Sequence, residues 1–423
     1  MPAGDEPLDG SRREPSEPCP GAPSLADIEQ AAARLRGVAL PTPLVHSERL
    51  SERAGSPVYL KLENLQRTGS FKIRGAYNRC AAIPPEQRAR GVICASAGNH
   101  GQGVALSARL LGIPATIVMP RGAPYTKIRA IRGHGAEVVL AGENYDEAYA
   151  HAQQLCGARG MVFVHAYEDP AIIAGQGTIG LEVVGELPEL GTLVVPVGGG
   201  GLIAGIAIAA RALRPQVRVV GVVASAAPSV RVSLERGEPT SCGPPGYTIA
   251  DGIRVKQPGT LTFSVIRRLV DEVVEVSEEQ IAAGIYELLD AHKLAAEGAG
   301  AAAAAAVLAG VARLRGPSCV LVSGGNIDLE LLVHVIERGL TESGAYLTLV
   351  TTVPDRPGQL TRLLAHLADM ELNILQVQHH RAGIRHPVGH VVVEVTAEAR
   401  EPGHGEEVVQ RLCAAGYQAR LVR

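Results

Sequence analysis

A lysine at position 72 is the side chain in this sequence with the clearest potential for covalent chemistry. It stands in Thr68-Gly69-Ser70-Phe71-Lys72-Ile73-Arg74-Gly75-Ala76, where a Gly/Ser loop runs into a pattern typical of a helix. The positive end of the helix dipole and partial burial beside Phe71 both disfavour the charged ammonium. A neutral amine can form a Schiff base with an aldehyde cofactor. The alternative is an ordinary surface lysine whose stem covers apolar surface.

A loop of small residues follows the strand-like segment Gly91 to Ala95. Its sequence is Ser96-Ala97-Gly98-Asn99-His100-Gly101, and a helical pattern comes next. Small residues let backbone amides crowd together at a helix start and bind a carboxylate, and Asn99 adds a neutral side-chain donor. Read alone, the segment favours a plain tight turn between strand and helix.

A second loop, Val197-Gly198-Gly199-Gly200-Gly201-Leu202, also lies between a strand-like and a helical segment. Four consecutive glycines carry a large entropic cost, which is tolerable where the backbone approaches a ligand such as a phosphate closely. The spacing is neither GxGxxG with an acidic ribose ligand nor GxxxxGK[ST]. A nucleotide-dependent oxidoreductase is therefore a weaker alternative.

A third segment, Leu321-Val322-Ser323-Gly324-Gly325-Asn326, is typical of a buried strand that ends in a turn. If Ser323 faces a pyridine nitrogen, its neutral hydroxyl cannot hold a proton there as a carboxylate would. The ring is then a weaker electron sink, which favours elimination at the β carbon. An ordinary strand-end turn is the alternative.

Helical and strand-like segments alternate throughout the region that carries these motifs. Ser24 is expected to cap a helix over Leu25 to Leu35, and apolar runs such as Val58 to Leu62 are followed by helical segments. Continuous apolar strands of this kind are typical of parallel sheets covered on both faces. Ligands bind such sheets beyond the carboxyl ends of the strands, where both glycine loops fall.

The composition describes a globular chain of two or three domains. Of the 423 residues, 46% are hydrophobic and 20% charged, with a formal net charge of -3. There is no basic excess for nucleic acid and no apolar stretch long enough for a membrane span. Residues 1–23, rich in Pro, Glu, Gly and Ser, are expected to be disordered. Seven dispersed cysteines without a CxxC pair favour reduced thiols and a cytoplasmic location.

In this order, the motifs resemble those of the threonine dehydratases, also called threonine ammonia-lyases, which are fold-type II pyridoxal 5'-phosphate enzymes. The similarity runs from about Leu25 to Leu340 and includes Thr248-Ile249-Ala250-Asp251-Gly252-Ile253 and Ala296-Glu297-Gly298-Ala299-Gly300-Ala301. It implies an α/β, tryptophan-synthase-β-like fold with open parallel sheets in two subdomains. The catalytic domain is expected over residues 24–340.

The resemblance also implies a role for each motif. Lys72 would bind the cofactor as a Schiff base and take the α proton, Asn99 would bond the ring hydroxyl, and Ser323 would face the pyridine nitrogen. Phe71 would pack near the ring. The phosphate would lie on Gly198, Gly199, Gly200 and Gly201, and the substrate carboxylate on the amides of Ser96, Ala97, Gly98, Asn99 and His100.

The implied reaction removes water and ammonia from L-threonine to give 2-oxobutanoate, with L-serine giving pyruvate. Serine racemases resemble the same scaffold but carry a serine where this chain has Ala97, and a methyl group cannot donate a proton, so racemisation ranks lower. Serine dehydratase and hydroxyaspartate ammonia-lyase stay open on this scaffold. A non-catalytic, amino-acid-sensing binding protein is disfavoured by intact Lys72, Asn99 and Ser323.

No divalent metal is expected. Divalent-stimulated relatives place acidic residues just after the strand that here is Val219 to Val223, whereas Ala224 to Val230 contain none. A monovalent cation stays open.

The pattern changes after Gly339. Segments of 345–423 follow the order βαββαβ, which predicts a ferredoxin-like module. The turn Asp355-Arg356-Pro357-Gly358-Gln359-Leu360 and the segment Leu372-Asn373-Ile374 resemble an ACT domain. That resemblance implies an amino-acid effector, isoleucine or valine, where two copies pair edge to edge in a homodimer or homotetramer. A dimerisation module without a ligand is the alternative.

Overall fold

The computed structural model describes residues 19–381, 388–401 and 403–422. The chain divides into two compact units, one up to Asp328 and one from Leu329 onward. The helices of the first unit are α1 (Leu25–Leu35), α2 (Glu48–Ala54), α3 (Lys72–Ala81), α4 (Pro85–Arg88), α5 (Asn99–Leu111), α6 (Tyr125–Gly133), α7 (Tyr145–Arg159), α8 (Pro170–Glu186), α9 (Gly201–Leu213), α10 (Ser229–Arg236), α11 (Thr260–Leu269), α12 (Glu278–His292) and α13 (Gly298–Leu308). Its strands are β1 (Leu44–His46), β2 (Val58–Leu62), β3 (Val92–Ala95), β4 (Ala115–Met119), β5 (Glu137–Leu140), β6 (Val162–Phe163), β7 (Thr192–Pro196), β8 (Arg218–Ala224), β9 (Glu272–Val276) and β10 (Ser318–Val322).

Two sheets form the framework of the first unit. One has the order β1-β2-β10-β7-β8-β9 and is parallel except where β1 meets β2. The other, β5-β4-β3-β6, is parallel throughout. Strands β3, β7 and β10 are buried along their whole length, as their continuous apolar sequences predict. The prediction of open parallel sheets in two subdomains is confirmed.

The start of α1 follows the prediction, whereas the start of α5 does not. The Ser24 side chain accepts from the Asp27 amide, and the Asp27 carboxylate accepts in return from the Ser24 amide, which forms a capping box. The sequence predicts a helical pattern only after the loop Ser96 to Gly101, but α5 already begins at Asn99. Glycine is a poor helix former, so the glycines of this first turn hide the helical pattern.

Helix α8 has no counterpart among the predicted elements, because it is apolar around most of its surface and shows no one-sided periodicity. It packs against α3 at very short range. A Cβ placed on Gly175 would lie 2.6 Å from the Arg74 carbonyl oxygen and from the Gly75 Cα. Glycines on both helices therefore let the two backbones meet, and this packing fixes the helix that Lys72 begins.

A buried ionic network fastens α3 to its surroundings. Arg74, which is 1% exposed, donates to Glu63 at 2.7 Å and to Glu182 at 2.6 Å. Lys61 on β2, with no exposed surface, lies 2.9 Å from both Glu182 and Glu186 on α8. Each buried charge thus has an opposite charge in contact, which offsets the cost of removing it from water.

The second unit contains a small antiparallel sheet. Its elements are α14 (Leu329–Glu342), β11 (Tyr346–Pro354), α15 (Gln359–Asp369), β12 (Ile374–His380), β13 (His390–Glu398), α16 (His404–Ala414) and β14 (Arg420–Leu421). The strand order is β12-β13-β11-β14, and every pairing is antiparallel. The predicted βαββαβ order from β11 to β14 is therefore present. Alternate residues of β11 and β13 are buried, so one face of the sheet carries the core.

The predicted disordered segment 1–23 lies mostly outside the described residues. Its last residues are placed: Cys19 and Ala22 pack against a cluster that includes Ile173, Ala204 and Val265. Among the residues that the structure describes, no helix is long and apolar enough to span a membrane.

Replacing Arg74 by Met is expected to lower the free energy of unfolding by about 3–5 kcal/mol, because buried Glu63 would lose its partner. Urea unfolding followed by circular dichroism measures the change. Replacing Glu63 by Gln in the same chain should recover part of the loss, since no uncompensated charge then remains. Arg231→Met is the control, because it removes only solvent-accessible pairs with Glu235 and Glu275 and should cost less than about 1 kcal/mol. Equal losses for both arginine variants would refute this account of the network.

Candidate active site

Lys72 is the first residue of α3, and its side chain is partly buried. Its Nζ donates to the Ala166 carbonyl at 3.3 Å and lies 5.0 Å from the centroid of the Phe71 ring. Burial lowers the pKa of Lys72 to about 8, although the negative charge of Glu297 opposes the shift. The Phe71 ring also favours the ammonium, so burial is the stronger effect. A neutral fraction near pH 8 is what a nucleophilic lysine requires.

The loop before Lys72 is held by the loop after β10. Thr68 and Gly69 both have left-handed backbone conformations, with φ of 64° and 69°. Asn326 Nδ2 donates to the Thr68 carbonyl at 2.7 Å, and the Gly325 amide donates to Gly69 at 2.9 Å. The Phe71 amide donates to the Ser323 carbonyl at 3.2 Å. Two motifs far apart in sequence therefore meet through backbone contacts.

The four-glycine loop between β7 and α9 has no room for side chains. A Cβ on Gly199 would overlap the ring of Tyr167, and one on Gly200 would lie 2.7 Å from Ile266 Cδ1. Gly200 also has φ 95°, which other residues rarely adopt. Within the described chain, no side chain caps the start of α9. The loop thus forms a cradle at a helix N-terminus, where an anion is stabilised.

Residues without any recognisable sequence signal support this cradle. Thr262 Oγ1 donates to the Gly199 carbonyl at 2.6 Å, and Glu168 accepts from the Leu261 amide at 2.6 Å. His165 Nδ1 accepts from the Tyr167 and Glu168 amides at 3.2 and 2.9 Å. Burial lowers the pKa of His165, in agreement with a neutral ring that accepts at Nδ1. These residues lie distant in sequence from the glycines, so only the fold brings them together.

The loop after β3 departs in part from the prediction. The Ser96 amide donates to the Val118 carbonyl at 3.0 Å, so the sheet already uses the amide that was expected to bind a carboxylate. Ser96 instead accepts from the Gly98 amide through its hydroxyl, at 3.2 Å. His100 Nε2 lies 2.9 Å from the Val164 carbonyl, and burial lowers the pKa of His100 to about 3. The ring is therefore neutral. Ala97 packs against the apolar cluster beneath the loop.

Asn99 bridges two side chains to which sequence reasoning assigned no role. Its Nδ2 donates to Glu297 Oε1 at 2.6 Å, and its Oδ1 accepts from Asn326 Nδ2 at 2.7 Å. Burial raises the pKa of Glu297 to about 7, and the charge of Asp251 adds to the shift. Glu297 and Asn326 stand inside motifs quoted above, which was the only signal available for them.

Ser323 directly follows β10, where the sequence places it. Its hydroxyl donates to the Ala299 carbonyl at 3.3 Å, which is long for an O–H···O hydrogen bond. A better acceptor, such as a ring nitrogen, could replace this contact at low cost. The Ser70 hydroxyl, fully buried beside Lys72 in sequence, has no hydrogen-bond partner in the described protein.

The contacts connect the predicted residues around one site. Lys72 contacts Ala166, whose neighbour Tyr167 packs on Gly199 and Gly201. Asn326 links Asn99 to the loop that carries Lys72. Pyridoxal phosphate has a complementary group for each part of the site. Its aldehyde fits the nucleophilic amine, its phosphate fits the anion cradle, and its polar aromatic ring fits the side-chain donors.

No group of three or more His, Cys, Asp or Glu side chains in the described residues is arranged to hold a metal ion.

Competitive acetylation of the cofactor-free protein measures the neutral fraction of the Lys72 amine directly. Its reactivity with acetic anhydride should rise about tenfold per pH unit below 8 and level off above that value, because burial lowers the pKa of Lys72 to about 8. The reactivity of free N-acetyl-lysine, added as an internal standard, should keep rising until the pH reaches the ordinary lysine pKa of 10.5. Mass spectrometry of the Lys72 peptide gives the readout. A Lys72 profile that parallels the standard would contradict the effect of burial.

Comparisons with known proteins agree with this geometry. Residues 35–325 match the family described as pyridoxal-phosphate dependent enzyme. The L-threonine ammonia-lyase of Thermotoga maritima is 48% identical over 400 residues, which cover 94% of this chain and 99% of that protein. Maize serine racemase is structurally similar, with a TM-score of 0.71, 34% identity, and coverage of 76% of this chain and 99% of that one.

The processed form of threonine deaminase isoform 2 from Solanum lycopersicum is also structurally similar, with a TM-score of 0.70 and 37% identity. The match covers 75% of this chain and 95% of the deaminase chain. The predicted fold type II and the predicted pyridoxal phosphate cofactor are thereby confirmed. On the family match and on identity over nearly its whole length, this chain belongs to the family of pyridoxal-phosphate-dependent enzymes.

Proposed function

We propose that this protein removes water and ammonia from L-threonine to give 2-oxobutanoate, and that it converts L-serine to pyruvate in the same way. The observation that carries the proposal is the partly buried Lys72 amine at the start of α3, whose pKa is lowered to about 8. A strong similarity supports it: the Thermotoga maritima L-threonine ammonia-lyase is 48% identical to this chain.

Bound pyridoxal phosphate supplies an aldehyde that links to an amine and a ring that withdraws electrons from the substrate α carbon. Lys72 would hold the cofactor and then, once free, take the α proton as general base. Its lowered pKa suits both tasks, because the amine is partly neutral near physiological pH. Asn99 would donate to the ring hydroxyl, and Ser323 would face the ring nitrogen.

The remaining backbone groups would orient the charged parts of cofactor and substrate. Gly198 to Gly201 would cradle the phosphate at the start of α9, where the helix dipole stabilises an anion. The amides of Ala97, Gly98, Asn99 and His100 would bind the substrate carboxylate at the start of α5, and Gly98 would exchange its 3.2 Å contact with the Ser96 hydroxyl for this ligand. Holding both ends leaves the α proton within reach of Lys72, which is a proximity effect.

Racemisation is the second candidate, because maize serine racemase has a similar structure. Ala97 stands where a racemase would need an acid on the substrate face opposite Lys72, and its methyl group has no proton to donate. Dehydration needs no such acid, so elimination is favoured. Serine dehydratase and hydroxyaspartate ammonia-lyase activities would use the same groups and differ only in the substrate side chain.

The purified protein, supplied with pyridoxal phosphate, should show a visible absorption band and release 2-oxobutanoate from L-threonine. Lys72→Ala should lose both the covalent band and nearly all activity, roughly a thousandfold or more, because the nucleophile and base are removed together. Lys293→Ala changes an exposed lysine and serves as control. D-serine formed by the native protein at a rate comparable with pyruvate release would instead favour the racemase.

We further propose that residues 345–423 are an ACT domain following the catalytic domain expected over 24–340, although the compact first unit ends at Asp328 and α14 lies in the second. The βαββαβ order and the strand order β12-β13-β11-β14 support this assignment. Strand β12 lies at the edge of the sheet, and its Leu375 and Val377 are 43% and 36% exposed. An exposed apolar edge strand invites pairing with a second copy. Isoleucine or valine would bind at that junction in a homodimer or homotetramer.

Replacing Val377 by Lys is expected to lower the oligomeric mass, because a charge on an edge strand opposes strand pairing. Light scattering after size-exclusion chromatography measures the mass. In the native protein, isoleucine or valine should shift the threonine concentration that gives half-maximal rate. In the variant, this shift should be at least fivefold smaller. Val388→Lys, at an exposed position outside β12, is the matched control. An unchanged mass in Val377→Lys would contradict the proposed interface.

A further inference from the structure

We propose that Asn326 and Glu297 are positioning residues, which hold the amide of Asn99 so that one of its N–H bonds faces the cofactor. This inference rests on the proposed function, since it assumes that Asn99 donates to the ring oxygen. The three side chains form a continuous chain of hydrogen bonds from the Thr68 carbonyl to the Glu297 carboxyl. We call this chain the amide relay.

Asn326 determines which way the Asn99 amide points. Both N–H bonds of the Asn326 amide are used, one to the Thr68 carbonyl and one to Asn99 Oδ1, each at 2.7 Å. If the Asn99 amide were flipped, its NH2 group would face the NH2 group of Asn326. Two donors would then meet without an acceptor between them. The orientation with Oδ1 toward Asn326 is therefore the one that satisfies both amides.

Glu297 holds the other side of the Asn99 amide. Its Oε1 accepts from Asn99 Nδ2 at 2.6 Å, a short distance typical of a bond to a carboxylate. The Glu297 amide donates to the Gly324 carbonyl at 3.1 Å, which ties this residue to the loop after β10. An amide nitrogen carries two hydrogens, so within the described protein one N–H of Asn99 is left for a ligand.

Two motif glycines make room for the relay. A Cβ on Gly69 would lie 2.5 Å from Asn326 Oδ1, and Gly69 also has φ 69°. A Cβ on Gly324 would lie 3.0 Å from the Glu297 carboxyl carbon and 3.3 Å from Asn99 Nδ2. Any side chain at either position would displace a member of the relay. The relay thus explains glycine at both positions independently of close approach to the cofactor.

The charges around Glu297 make the relay sensitive to pH. Asp251, Lys127 and Lys72 face it from a short 3-10 helix, from α6 and from α3, and Lys127 pairs with Asp251 at 2.8 Å. Burial raises the pKa of Glu297 to about 7. Below that pH the carboxyl is neutral and accepts more weakly from Asn99, and above it the carboxylate accepts strongly. The donor strength of Asn99 should therefore change near pH 7.

The first arm of the test measures the affinity of apoprotein for pyridoxal phosphate by quenching of tyrosine fluorescence, since the chain has ten tyrosines and no tryptophan. Asn326→Asp keeps the shape but replaces a donor by an acceptor, which should flip the Asn99 amide and weaken binding at least tenfold. Asn144→Asp is the matched control, because this exposed cap of α7 makes the same chemical change away from the site. Its affinity should stay within about twofold of native.

The second arm follows the visible band of the loaded protein between pH 5.5 and 8.5. The native protein should show a spectral change with a midpoint near 7, and Glu297→Gln should lose it. The amide oxygen introduced by Glu297→Gln can still accept from Asn99, so the affinity of this variant for pyridoxal phosphate should stay within about threefold of native.

Native affinity in a folded Asn326→Asp protein, or a midpoint near 7 that survives in Glu297→Gln, would overturn the relay. The second arm decides the matter if Asn326→Asp does not fold, which thermal unfolding of each variant reports. A native protein that forms no covalent band with pyridoxal phosphate would instead count against the proposed function. The two failures are therefore distinguishable.

Discussion

The candidate site depends on the pairing of two loops, one before Lys72 and one after β10. Ser70 forms an isolated bridge with Gly324, and the Phe71 amide donates to Ser323. This pairing places the first turn of α3 at the carboxyl end of β10, where the Lys72 side chain is partly buried. Because burial is the main cause of the lowered pKa of Lys72, the chemistry of the amine follows from this loop geometry.

Close backbone approach, rather than flexibility, is the main use of glycine around the site. Gly175 and Gly75 let α8 and α3 meet, and Gly199 leaves space for the Tyr167 ring. Gly69 and Gly324 leave space for the side chains of Asn326 and Glu297. The entropic cost of these glycines is offset by interlocking packing that no larger residue would permit.

Buried charges also hold α3, the helix that Lys72 begins. Arg74 lies two residues after Lys72 and contacts Glu63 and Glu182, so the helix that begins at Lys72 is fixed along its first turn. Such a network is costly to desolvate and adds little net stability over an apolar core. Its value here is geometric, because charge-assisted hydrogen bonds restrict the position of α3 more narrowly than apolar contacts would.

Local sequence patterns were sufficient to predict the parallel sheets and the βαββαβ module. They were also sufficient to single out the motifs that contain Lys72, Asn99, Gly198 to Gly201 and Ser323. They failed where the signal was not local. Helix α8 is apolar on most sides, and the start of α5 is masked by glycines, so neither shows a helical period. Thr262, Glu168 and His165 support the glycine loop from distant segments that carry no motif.

By itself, the sequence determined which chemical groups are present and their order along the chain. It also indicated that the motif loops lie at one edge of a sheet, because strand-loop-helix units place their loops at the carboxyl ends of the strands. Only the tertiary structure decided which groups are engaged and which are open to a ligand. The Ser96 amide is used by β4, while Glu297 and Asn326 reach Asn99 across 198 and 227 residues of sequence. Burial and side-chain contacts of that kind depend on packing between distant segments, which local sequence does not encode.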